Sequence, residues 1–207
     1  MKYNKISKSV YSLKYSFIEF FSQSKIKIII CLAFCLVGLL TGLFTAIKIF
    51  NTGDLQIFES FNLTYQLSDL ENFSSNFFSR LLSYELVIIL LFVFSLHPLL
   101  YLFGWCLIAY RSFLVSINCT MIVLIFSFSG IIKGILILLP CQLLMLLIMT
   151  LYYCFLCQQI QDEKILKHKG FNTIVLAIMF SSICLTVVNL IETLLLFLFR
   201  SNVILVI

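Results

Sequence analysis

Charge is what this sequence has least of. Only 11% of its residues are Asp, Glu, Lys or Arg, against about 25% in a typical soluble domain. A chain so poor in charge, and 62% hydrophobic, cannot keep its surface in water. That excludes a soluble globular domain and makes lipid the solvent. Breakers are scarce as well. Two prolines and seven glycines in 207 residues leave long apolar runs almost uninterrupted. Catalytic signatures are missing: no His-Glu-x-x-His, no Gly-x-Ser-x-Gly elbow and no phosphate-binding glycine loop, and no pair of acids within one apolar run. The expectation is a protein that is not an enzyme, with no catalytic residue, no cofactor and no metal site.

Cysteine, by contrast, is plentiful. Cys31, Cys35, Cys106, Cys119, Cys141, Cys154, Cys157 and Cys184 all fall inside apolar stretches. A disulfide framework belongs to small secreted chains, and free cysteine in an apolar run acts as a small, readily buried hydrophobe. Cys154-x-x-Cys157 has the spacing of a redox or metal pair, but no second pair or histidine stands near it. Packing is the expected role of all eight.

A helix of about 20 apolar residues crosses the hydrocarbon core, and five stretches are that long. They are Ile28–Phe50, about Glu85–Phe103, about Cys106–Phe128, about Leu136–Cys157 and Phe171 to about Leu195. The first is too long, and lacks the small-residue cleavage site, for a signal peptide. The fold class expected is all-α: a polytopic bundle of about five spans with an amphipathic N-terminal helix on the cytosolic side. Residues 1–27 form a basic segment, 28–50 the first span and 51–84 an outer loop. A compact four-span block follows over 85–199, then a short tail over 200–207.

Lysine and arginine set the orientation. Lys2, Lys5, Lys8, Lys14, Lys25 and Lys27 precede the first span against a lone Glu19. With Arg111 assigned to the second–third connection and Lys164, Lys167 and Lys169 to the fourth–fifth, ten basic residues fall inside; Lys48, Arg80, Lys133 and Arg200 fall outside. The N-terminus is expected in the cytosol of a multi-pass cell-membrane protein and the C-terminus outside. The +5 net charge is a topology signal and implies no nucleic-acid partner. Tyr101, Trp105 and Tyr110 bracket the expected second–third turn, and Tyr152 and Tyr153 the inner end of the fourth span, suited to the headgroup level.

Two further segments carry helical periodicity. Val10, Leu13, Phe17, Phe20 and Phe21 recur among lysines, as in a helix on an anionic leaflet. Leu63, Leu67, Leu70, Phe73, Phe77 and Leu81 repeat the pattern in the outer loop, where Ser68-Asp-Leu-Glu71 has capping-box spacing and starts a helix near residue 69. Each reads as a plain surface helix or as a docking element.

Polar residues within spans are costly and therefore candidate sites. His97-Pro98 sits toward the inner half of the expected second span, Pro98 kinking the helix and His97 bonding a neighbouring helix. Arg111 snorkels from the first turns of the third span. Glu192 lies at the depth of Lys48; the two pair, or each snorkels. Asn118, Gln142 and Asn189 are expected to hydrogen-bond between helices. Gly38-x-x-x-Gly42 permits close helix approach, to this bundle or to a partner. Lys133-Gly134 and Pro140 mark an irregular entry to the fourth span, with Pro140 in its first turns.

The stretch Phe103-Gly104-Trp105-Cys106-Leu107-Ile108-Ala109-Tyr110-Arg111-Ser112-Phe113-Leu114-Val115-Ser116, followed by Gly130-Ile131-Ile132-Lys133-Gly134 and Leu139-Pro140-Cys141-Gln142-Leu143, resembles the stage II sporulation protein M family of bacterial membrane proteins. The matching positions are Arg111, Ser112, Phe113 and Ser116, then Gly130, Lys133, Gly134, Pro140 and Gln142; Ser112 and Ser116 stand where that family commonly has glycine. The resemblance is strongest over about residues 101–147. It implies a non-catalytic membrane component that anchors a peptidoglycan-degrading complex during forespore engulfment. Membrane lipids are the partners that composition implies, and the resemblance adds other membrane or extracytoplasmic proteins. The alternative is a transporter or permease subunit, with Asn118, Gln142 and Asn189 lining a path past a kink at His97-Pro98.

Overall fold

Within lipid no water satisfies backbone N–H and C=O groups, so an apolar crossing segment must close its hydrogen bonds internally as a helix. The computed structural model follows that rule. It describes residues 3–52, 73–130, 138–161 and 168–198, with side chains over 24–52, 74, 77–124, 138–160 and 174–195. The elements are α1 (Tyr3–Thr52), α2 (Phe73–Ser95), a 3₁₀ turn (Pro98–Leu100), α3 (Tyr101–Gly130), α4 (Leu139–Gln161) and α5 (His168–Leu198). All described elements are helical, and five stretches are long and apolar enough to cross a membrane: Ser24–Thr52, Phe77–Ser95, Pro98–Leu124, Leu139–Ile160 and Ile174–Leu195. The chain is a multi-pass α-helical membrane protein.

The basic N-terminal segment is helical and continuous with the first span. α1 runs 50 residues without a break, about 75 Å at 1.5 Å per residue, so residues 3–23 extend the helix that carries the span Ser24–Thr52. The expected capping box at Ser68–Glu71, the periodic residues Leu63, Leu67 and Leu70, the Lys133-Gly134 pair and the 200–207 tail lie outside the described residues.

The second and third spans are shifted from expectation. α2 ends at Ser95 rather than near Phe103, and the turn lies at Leu96–His97 instead of around Trp105. Proline is the cause. Its ring disfavours helical backbone in the preceding residue, and His97 is extended at φ −136°, ψ 134°. Pro98 then opens the next helical segment, where its missing N–H leaves no bond unmade. It ends one span and begins another; it does not kink the second.

α1 packs most extensively along α3 and also meets α4, while α2 lies against α5. α4 is the most enclosed, touching α1, α2, α3 and α5. Its buried face carries Met145, Met149, Tyr153, Leu156 and Cys157. The outward faces are apolar too. Leu36, Leu40 and Phe44 on α1, and Met179, Phe180 and Ile183 on α5, stand exposed, as lipid-facing stripes must.

The α1–α3 contact is built on small residues. A methyl group added to Gly38 would run into the Ala109 carbonyl oxygen and Ser112 Oγ; one at Gly42 would lie 2.5 Å from the Phe113 oxygen and 2.8 Å from Ser116 Cβ. Gly38 and Gly42 thus mesh with Ser112 and Ser116, and Ser116 Oγ donates to the Leu39 carbonyl at 2.7 Å. Of the two uses open to the Gly-x-x-x-Gly face, this bundle takes it for internal packing.

Candidate functional site, a polar core between four helices

At the end of the bundle opposite the N-terminal lysines, α2, α4 and α5 converge on buried polar side chains. Arg80 Nη1 meets Glu192 Oε1 at 3.1 Å. Gln142 Nε2 donates to both Glu192 oxygens at 2.8 and 2.9 Å, and Gln142 shares a bond with the Tyr84 hydroxyl. Glu192 is fully buried and Arg80 is 4% exposed. Asn189, one turn from Glu192, donates to the Phe77 carbonyl at 3.2 Å.

Helical spacing explains the convergence. Arg80, Tyr84, Val87, Ile88 and Leu91 form one buried stripe of α2, and Leu185, Val188, Asn189 and Glu192 one of α5. An ion carried on such a stripe must find its counterion inside, because an unpaired charge in a low-dielectric interior is prohibitive. Arg80 and Glu192 satisfy each other. Glu85, on another face of α2, accepts a bond from Ser182 Oγ of α5.

Arg111 extends the core toward mid-membrane. It stands well inside α3 and its apolar span, and does not snorkel from a helix end. The third span begins at Pro98, about two turns earlier than expected, which carries Arg111 inward. Its Nη2 donates to Ser83 O at 2.9 Å and Ser83 Oγ at 2.6 Å, and its guanidinium lies 5.6 Å from the Tyr84 ring centroid. Between these groups is a cavity of about 30 Å³ lined by Arg80, Tyr84, Arg111, Asn118, Gln142 and Met145, among others.

Other expected residues fall elsewhere. His97 is exposed in the second–third turn, where its Nδ1 accepts from Leu99 N at 3.3 Å; it caps a turn and bonds no neighbouring helix. Lys48 is exposed and Glu192 pairs with Arg80 in its place. Pro140, second residue of α4, and Ser112 and Ser116 on α3 are helix-entry and packing positions. Tyr101, Tyr152 and Tyr153 are buried core residues, not headgroup anchors; Tyr153 donates to the Tyr101 carbonyl at 2.9 Å. Tyr110 is exposed but mid-span. Cys154 of the Cys-x-x-Cys pair contacts Cys31 of α1, Sγ to Sγ 3.8 Å, and no cluster of metal ligands forms among the described residues.

Arg80 is the residue sequence reasoning missed. It reads as one more outer-side cation until its spacing of four and seven from Tyr84 and Val87 is noticed, which places it on the buried stripe. Fold and site together define a polytopic helical membrane protein with an intramembrane ion-pair network. No family model, curated protein or solved structure matches the chain.

Proposed function

We propose that this protein is a non-catalytic integral scaffold of the cell membrane, resembling stage II sporulation protein M, that anchors an extracytoplasmic cell-wall-remodelling complex. The observation that carries the reading is how the span polar groups are used. Arg80, Glu192, Gln142, Tyr84, Ser116 and Asn189 bond from helix to helix, which makes a rigid platform. A cavity of about 30 Å³ is far below the ~300–1,000 Å³ of a typical small-molecule site. Orientation rests on lysine. With Arg80 and Arg111 withdrawn into the bundle, nine basic residues belong to the N-terminal side and three to the other, so the N-terminus faces the cytosol and the C-terminus the outside.

Because Gly38, Gly42, Ser112 and Ser116 are spent on α1–α3 packing, partner recruitment falls to the outer segment. Replacing residues 53–72 with a Gly/Ser linker of equal length keeps the connection between Thr52 and Phe73, where α1 ends and α2 begins. Affinity purification of the intact and the linker-replaced protein from native membranes tests the role. Cell-wall-modifying partners are expected with the first and lost with the second; equal recovery refutes it. The alternative, a transporter or permease subunit, is favoured by one observation, a cavity with two arginines in its wall. It requires that cavity to widen into a water path, so that a water-soluble thiol reagent reaches the buried Cys119 from one side.

A further inference from the structure

Arg111 brings into the polar core a charge that its own partners do not cancel. A guanidinium remains protonated in proteins, so Arg111 carries its charge at mid-span. Its partners, the Ser83 carbonyl and hydroxyl and the Tyr84 ring, are neutral, and the ion pair among the described residues is Arg80–Glu192. The cavity wall therefore carries Arg111, whose partners are all neutral, beside the ion-paired Arg80. Neutral donors and a ring face orient a cation, but they do not cancel it where the dielectric is low. Both arginines and the Asn118 amide line a space of about 30 Å³, room for about two waters at 10–15 Å³ each or for one monatomic anion. Met145, Leu146 and Met149 close the remaining wall with apolar surface, which offers nothing to the outer oxygens of a larger oxyanion.

We propose that this cavity binds a small monovalent anion of the halide class, held by Arg111 and Arg80 with Asn118 alongside. The anion balances the Arg111 charge and ties α3 to α2.

The test uses the full chain purified into lipid nanodiscs. Chloride or bromide replaces gluconate at constant ionic strength while thermal unfolding is followed. A saturable rise in Tm on the order of a few degrees is expected with either halide, because a ligand bound only to the folded state stabilises it by mass action. Arg111→Lys should keep the response with its midpoint at higher halide, and Arg111→Gln should abolish it. Should Arg111→Gln fail to fold, Asn118→Leu fills the cavity with both arginines in place and should also give a flat titration. A flat titration of the unaltered protein, or a halide response undiminished in Asn118→Leu, overturns the proposal.

Discussion

At Glu192 the surrounding chemistry leaves little freedom. The side chain is fully buried, Arg80 supplies its counter-charge and Gln142 two further hydrogen bonds. Removing one member of a buried pair strands the other, at a cost of about 3–5 kcal/mol, whereas replacing both with apolar groups of similar volume is often neutral. Arg80→Ala and Glu192→Gln should therefore each destabilise strongly, and Arg80→Met with Glu192→Leu should recover most of the loss. Unfolding in mixed detergent measures all three. If the double variant is as unstable as the sum of the singles, the two residues do not act as a pair.

Whole helices obey a different balance, seen best where α1 crosses α3. Helix propensity alone favours alanine over glycine by about 1 kcal/mol, so Gly42→Ala should stabilise if the site were open. The added methyl would meet the Phe113 backbone oxygen at 2.5 Å, and backbone cannot rotate away. Overpacking of this kind costs about 1–3 kcal/mol, so net destabilisation is expected. Ser116→Ala removes one interhelical bond, worth about 0.6 kcal/mol on average in membranes, and should be milder. Unfolding of the two variants side by side checks the order. A stabilised Gly42→Ala would mean that the helices do not approach this closely.

For the molecule as a whole, orientation is the property with the widest consequences, because it decides which compartment the polar core and the 53–72 segment face. Each lysine near an anionic cytoplasmic leaflet is worth about 1 kcal/mol, and Lys25 and Lys27 stand at the start of α1's span. Fusions of a fluorescent protein to the N-terminus and of alkaline phosphatase to the C-terminus report this directly. Fluorescence and phosphatase activity are both expected, since the first reporter matures in the cytosol and the second outside it. The reverse pattern would place Arg80 and Glu192 at the cytosolic end.

The number of spans and the all-helical class were legible in the apolar runs, because lipid allows a crossing segment little else. Lysine asymmetry likewise predicts a direction without reference to packing. Even the small face Gly38–Gly42 was legible by spacing, and Ser112 and Ser116 were singled out by resemblance. What they touch was not legible, since a small face fits any other small face and only three-dimensional packing pairs them. Tertiary structure also decided the chemistry of the charges. Arg80, Arg111 and Glu192 look in sequence like residues within reach of a helix end, free to snorkel. Helix phase turns Arg80 and Glu192 onto buried stripes, and the earlier start of α3 after Pro98 carries Arg111 to mid-span. Depth and phase are properties of assembled helices, and they turn three interface charges into an ion pair and a cation beside a cavity.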